Sequence, residues 1–324
     1  MKLFFRHLLY STALLLLCVH CTNNEFTYSK FIVGARCEVK FYLYSDSLAQ
    51  NIIYEIDNEF MRIDSLLNRF SDISLVSDLN RNLKVAAPED IIQLVLLSDS
   101  ISHITGGLFD ISVAPLLETW GFYEHEFMDP DTVDIKTAVQ LVDYKKIRIK
   151  KDSIIIMSNM KLDFGGIAQG YAADRVADIL KKHNIKSALI NVGGEIVLIG
   201  RSPEKRPWRI GIKNPRGEGI IETVETENLA LSTSGDYEKF FLIKNKRYPH
   251  IINPKTGYPA LGFASVTVFA ESAAYADAIA TAVAIMGPET GLKFLDSLGI
   301  KGIIYHEENG RLQRVESQKK EDIE

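Results

Sequence analysis

The chain has 324 residues, 46% of them hydrophobic and 24% charged, with a formal net charge of -5. This composition is ordinary for a globular protein and supplies apolar material for one large core or two coupled ones. The acidic balance offers no basic surface to a nucleic acid, although local cations, backbone N–H groups or a metal can still hold a dinucleotide.

Lys2 and Arg6 precede an apolar run over residues 8–19. About a dozen such residues are too few to span a bilayer, and they fit the apolar core of an export signal over residues 1–20. Cys18 and Cys21 follow, and then polar residues from Thr22 to Asn24. A cysteine just past such a run points to a lipoprotein, with Cys21 as the lipid-bearing residue and 22–30 as a tether from the membrane. His20 is bulky where the processing site usually takes a small residue, so a plain signal peptide or an uncleaved anchor is the alternative. All of these readings export the body. Past Cys21 only Cys37 remains, which excludes an intramolecular disulfide framework in the mature body. Cys37 lies in an alternating apolar pattern and reads as a core residue.

Along the body, residues 31–43 alternate like a strand. Residues 48–67 carry Ile52, Ile56, Phe60 and Ile63 on one helical face. A second helix is predicted over 88–104, with Pro88 in its first turn and Gly106-Gly107 past its end. A short helix over 132–142 and a pair of strands over 146–157 follow. The second half predicts a helix over 170–183, a strand pair over 187–199 around Gly193-Gly194, and strands at 208–213, 228–232, 238–243 and 266–270. Helices over 273–286 and 289–298 and a strand over 300–305 close the body, and the charged tail 317–324 is expected to be disordered. Strands outnumber crossover units, which predicts an α+β fold with mixed sheets rather than a doubly wound one. No linker divides residues 31–316, so a single catalytic unit is expected.

Four segments carry chemistry. In Lys161-Leu-Asp-Phe-Gly-Gly-Ile-Ala-Gln-Gly170 a strand end bearing Asp163 meets a glycine-rich turn that opens a helix, a place where backbone N–H groups favour anions. Its spacing is neither a Walker loop nor a Rossmann fingerprint, and a plain strand-to-helix turn explains it equally well. Asp277 and Thr281 stand four apart in a helix of small residues and so share a face. Their oxygens are hard ligands suited to Mg²⁺, unless Thr281 merely bonds back to the carbonyl at 277. The loop from Tyr248 to Pro259 is proline-rich, with His250 at its mouth as a candidate base or a structural residue. The turns 191–195 and 231–237 bring glycines and the hydroxyls of Ser232, Thr233 and Ser234.

These segments occur in an order that resembles the ApbE family, the FAD:protein FMN transferases. The resemblance runs from about residue 31 to 305 through Gly106-Gly-Leu-Phe-Asp110, Trp120-Gly121, the stretch 163–174, Val192-Gly-Gly194, Ser232-Thr-Ser-Gly235, the stretch 250–257, and Asp277 with Thr281. It implies a fold related to the T-fold, and a Mg²⁺-dependent reaction in which a threonine or serine hydroxyl of an acceptor attacks FAD, keeps FMN and releases AMP. The acceptor so implied is an exported domain of a flavin-bearing redox complex. It further implies Asp277, Thr281 and the backbone carbonyl of Gly166 as Mg²⁺ ligands, and contacts to FAD from Leu108, Phe109, Asp110, Asp163 and Ile252. Gln169, Gly193, Gly194, Thr233 and Ser234 complete the expected cofactor wall. Gln169 stands where many members have lysine, Phe70 where a tyrosine contacts FAD, and Val33-Gly34-Ala35 where Met-Gly-Thr is common. Hydrolysis of FAD to FMN and AMP, or flavin binding without catalysis, are the competing readings.

Overall fold

The computed structural model describes residues 24–318, apart from His125 and Asn245. The export signal expected over 1–20, Cys21, and residues 319–324 of the expected tail lie outside the described residues.

The chain opens with a hairpin of β1 (Asn24–Ile32) and β2 (Ala35–Leu43), paired along their full length. Val33 and Gly34 turn it, both with positive φ, the geometry that matches strand twist in a two-residue loop. Residues 24–30, expected as tether, are therefore strand. The polar residues of β1 mark the solvated face of an edge strand, while Phe26 stacks on Phe41 and Tyr28 on Phe60. In β2, Ala35, Cys37, Val39 and Phe41 alternate inward, and Cys37 is a fully buried free thiol as expected.

Helix α1 (Asp46–Leu67) starts at Ser45, whose hydroxyl accepts the Leu48 N–H, and buries Ile52, Ile56, Phe60 and Ile63 in one stripe. Next come α2 (Leu75–Asn82), β3 (Lys84–Ala86), α3 (Glu89–Ile104), α4 (Ala114–Thr119) and α5 (Thr132–Val139). The predicted strand pair is β4 (Arg148–Lys150) and β5 (Ser153–Ile155), which joins β3 in a small sheet. The second half runs α6 (Ala168–Lys182), β6 (Ala188–Val192), β7 (Glu195–Ile199), β8 (Trp208–Lys213), β9 (Ile220–Thr226), β10 (Ala230–Gly235), β11 (Phe240–Ile243), β12 (Lys246–Pro249) and β13 (Ser265–Ala270). It closes with α7 (Ala273–Met286), α8 (Pro288–Leu298), β14 (Gly302–Glu308) and β15 (Arg311–Glu316). The ordered chain thus extends past the expected last strand. Ser317, expected in a disordered tail, is buried, donates to the Ile300 carbonyl and accepts the Gly302 N–H.

Eight strands form the main sheet in the order β1-β2-β6-β7-β10-β13-β14-β15, and every pairing among the described residues is antiparallel. Helices α1, α6 and α7 pack over one face around the principal core. The β8–β9 hairpin covers part of the other with Trp208, Ile210 and Val224 against Leu198, Phe269 and Tyr305. This is the α+β architecture expected from the sequence. Helix α7 is apolar on all sides and is accordingly enclosed, touching α6, α8, β10 and β13. No helix among the described residues is long and apolar enough to cross a membrane.

Candidate active site

A cavity of about 690 Å³ opens between the sheet, the α6–α7 corner and the loops around α4 and residue 250. That volume is in the range of cofactor sites. Phe70, Leu108, Phe109, Asp110, Asp163, Gly166, Gln169, Gly193, Gly194, Thr233, Ser234, His250, Ile252, Asp277 and Thr281 all line it. Segments distant in sequence thus meet on one surface; Cys21 alone of the expected residues lies outside the description.

The α6–α7 corner is built by small residues. A Cβ on Gly170 would fall 2.3 Å from the Ala273 carbonyl oxygen, so only glycine lets the two helices approach this closely. Asp174 of α6 fixes their register by accepting the N–H groups of Ala273 and Ala274 and the Ser272 hydroxyl, a carboxylate at the N-terminus of α7. One turn further along α7, Asp277 Oδ2 accepts the Gly170 N–H at 3.2 Å. In a regular helix start that N–H would go to the carbonyl of Gly166. Diverted to Asp277, it leaves the Gly166 carbonyl with no hydrogen-bond donor among the described residues. Thr281 Oγ1 makes no bond back to the carbonyl at 277, and it lies 3.3 Å from where a Cβ on Gly166 would stand. The Asp277 carboxylate, the Thr281 hydroxyl and the Gly166 carbonyl, all hard oxygen donors, therefore gather at one corner. They fit a divalent cation of the Mg²⁺ type. Asp277 is 6% exposed, and burial holds its carboxyl well above the ordinary carboxylate range, a charge that calls for a cation.

The opposite wall is built by bulky and charged side chains. Asp163 Oδ2 accepts the Tyr123 hydroxyl at 2.6 Å, Oδ1 accepts the Gly165 N–H, and the Asp163 backbone N–H donates to Ile111. Burial, followed by the Asp163 charge, pushes the Tyr123 phenol far above its usual value, so it stays a donor. The Arg69 guanidinium lies 3.3 Å from the centre of the Tyr123 ring and pairs with Glu118 at 3.1 Å. Phe70 is 65% exposed and meets Tyr123 edge-on, a free aromatic face at the cavity mouth. Asp110, also in the cavity lining, is held in place by three hydrogen bonds: Oδ1 accepts Ser112 N–H and Oγ, and Oδ2 accepts Tyr144 N–H. It shapes the loop that presents Leu108 and Phe109.

On the sheet side Gln169 donates to the Val33 carbonyl and covers Gly193, where a Cβ would stand 2.7 Å from its oxygen. Thr233 shares a hydrogen bond with Thr267, whereas Ser234 makes no side-chain bond among the described residues. Ile252 is buried, bridged to Pro259. His250 Nδ1 lies 3.2 Å from the Lys239 carbonyl, which can only accept, so Nδ1 carries the proton and Nε2 keeps its lone pair. Desolvation among the cavity walls, with Lys239 nearby, lowers its pKa from 6.5 to about 4. The ring is a neutral imidazole at physiological pH.

The sequence singled out neither Arg69 and Tyr123 nor the cations Lys213 and Lys239 that line the same cavity. Glu195 was read only as the end of a polar turn, yet it is buried in the cavity wall. A carboxylate directly after a Gly-Gly turn and at the start of an apolar strand was the available signal.

The ApbE family model matches residues 33–304. A FAD:protein FMN transferase of Klebsiella pneumoniae is 29% identical over 280 residues, covering 83% of this chain and 85% of that one. One from Escherichia coli K12 is 31% identical over 240 residues, with 70% and 66% covered. Among solved structures, the apo flavinyl transferase ApbE of Pseudomonas stutzeri superposes with a TM-score of 0.83 at 29% identity, over 91% of this chain and 95% of its own. The ApbE protein of Thermotoga maritima gives 0.80 at 32%, over 90% and 97%.

Proposed function

The chain belongs to the ApbE family, and from that footing we propose that it is a Mg²⁺-dependent FAD:protein FMN transferase. The observation that carries the reading is the α6–α7 corner, where Asp277, Thr281 and the carbonyl of Gly166 stand ready as ligands. These three groups would hold Mg²⁺, which would supply charge neutralisation to the FAD pyrophosphate, the main requirement of phosphoryl transfer.

The protein's own residues do the rest. Phe70, Leu108, Phe109 and Ile252 offer apolar surface to the rings of FAD. Lys213 and Lys239 add positive charge along the path of the phosphates. His250 Nε2 takes the proton of the acceptor threonine or serine hydroxyl as its oxygen bonds to the FMN-side phosphorus. The bond from that phosphorus to the bridging oxygen breaks, and AMP leaves with both electrons.

The acceptor is an exported domain of a flavin-bearing redox complex, and the enzyme is held at the membrane, facing the periplasm, by a lipid on Cys21. The apolar run 8–19 and the polar residues after Cys21 support this placement. Cys21→Ser is expected to release the protein from the membrane fraction.

Purified enzyme, FAD, Mg²⁺ and a threonine-bearing acceptor domain should give flavin fluorescence that survives a denaturing gel, with one AMP per label. AMP without labelled protein would mean that water is the acceptor.

A further inference from the structure

The reading above accounts for Asp277 but not for its buried neighbour. Glu195 begins β7 immediately after the Gly193-Gly194 turn and is 6% exposed. Ser232, on the adjacent strand β10, donates to Oε1 at 3.3 Å. Oε2 is buried with no hydrogen-bond partner, and no lysine or arginine pairs with the carboxylate among the described residues. An orphaned buried acceptor costs about 1–3 kcal/mol, and more when charged, so its persistence needs a cause. Gln169, where the family resemblance places a lysine, brings no charge and is bonded to Val33.

Glu195 lines the same cavity as Asp277. The turn that carries it reaches the cation corner: a Cβ on Gly193 would stand 2.7 Å from the Gln169 oxygen, and Gly170, next to Gln169, donates to Asp277 at 3.2 Å. The contacts that define the cation corner are those of Asp277, Thr281 and Gly166, and Glu195 shares the cavity beside them. Mg²⁺ dehydrates reluctantly and keeps several waters, each of which must donate to something. A fixed carboxylate just outside the ligand sphere is what such waters bond, and it holds the ligands in place.

We propose that Glu195, oriented by Ser232, accepts hydrogen bonds from water on the Mg²⁺ held at Asp277, and so acts as a positioning residue for the metal. This rests on the metal reading above.

Calorimetric titration of the purified full-length protein with Mg²⁺ alone, without FAD, separates the two ideas. Wild type is expected to bind, Asp277→Ala to show no binding heat, and Glu195→Gln to bind about 10-fold more weakly. Glutamine is the isostere of a protonated glutamate, so a purely structural Glu195 predicts unchanged affinity, and that result overturns the proposal while the metal reading stands. Wild type that does not bind, or Asp277→Ala that binds as wild type does, sinks the metal reading itself. Should Glu195→Gln fail to fold, Ser232→Ala takes its place. It is expected to weaken Mg²⁺ about threefold, by freeing the carboxylate to rotate, and equal affinity there counts against the proposal.

Discussion

At the α6–α7 corner of the cavity, glycine and alanine bring two helices so close that backbone and short side chains supply the chemistry. At the α1–α4 wall, Arg69, Phe70, Tyr123 and Asp163 supply it with long side chains already bonded to one another. The corner is packed on backbone and has no room to adjust; the wall is built of side chains that stack on or bond one another. Failures at the corner should therefore be nearly complete, and failures at the wall graded.

The largest effect is expected from Asp277→Ala. Losing several kcal/mol of charge stabilisation predicts a fall in kcat of about a thousandfold or more, read as AMP release and in-gel flavin fluorescence. Circular dichroism should show the fold unchanged. Activity within a few-fold of wild type would remove the corner from the chemistry.

Gly170→Ala tests the corner through packing alone. Its methyl would meet the Ala273 carbonyl, so α6 and α7 must part or strain, at about 1–3 kcal/mol. A melting temperature several degrees lower is expected, together with weaker Mg²⁺ binding, because Gly170 N–H no longer meets Asp277. A variant as stable as wild type would show that the helices tolerate separation.

At the wall, Tyr123→Phe deletes one donor to Asp163 and leaves the Gly165 N–H in place. A loss of about 1 kcal/mol predicts a KM for FAD raised about fivefold with kcat little changed. An equal fall in kcat would instead place Tyr123 in the transition state.

The contrast also explains what could be read from the sequence. Periodicity revealed α1 by its long apolar face, while a run of alanines ended by Gly287-Pro288 marked residues 273–286 as α7. It missed β1, an edge strand whose outward residues are polar, and α2, only two turns long. The expected site residues do meet in one cavity, since glycine-rich turns, prolines and paired oxygens leave local marks. Arg69 and Tyr123 left none, and Glu195 only its place directly after a Gly-Gly turn. Their environments are set by residues 40 or more positions away, Asp163 for Tyr123 and Asp277 for Glu195. Asp110 shows a mixture: its motif is local, but its carboxylate is held both by Ser112 beside it and by Tyr144, 34 positions on.

His250 lines the same cavity, and its effect on stability is expected to be the smallest of these. Its pKa is depressed from 6.5 to about 4, so folding favours the neutral ring. The stability this contributes is present in full above 6.5 and is lost as pH falls through 4. The ring is half-buried at the cavity wall, and that exposure screens part of the penalty. His250→Gln cannot titrate. Melting temperatures of wild type and variant at pH 8, 6 and 4.5 should therefore converge by a few degrees toward acid. Parallel curves would mean that the ring titrates as in solution. In the wild type, kcat should show no inflection near pH 6.5, because the imidazole is already neutral on both sides of it. A limb at that pH, absent from His250→Gln, would show that the ring titrates as a solvated histidine does.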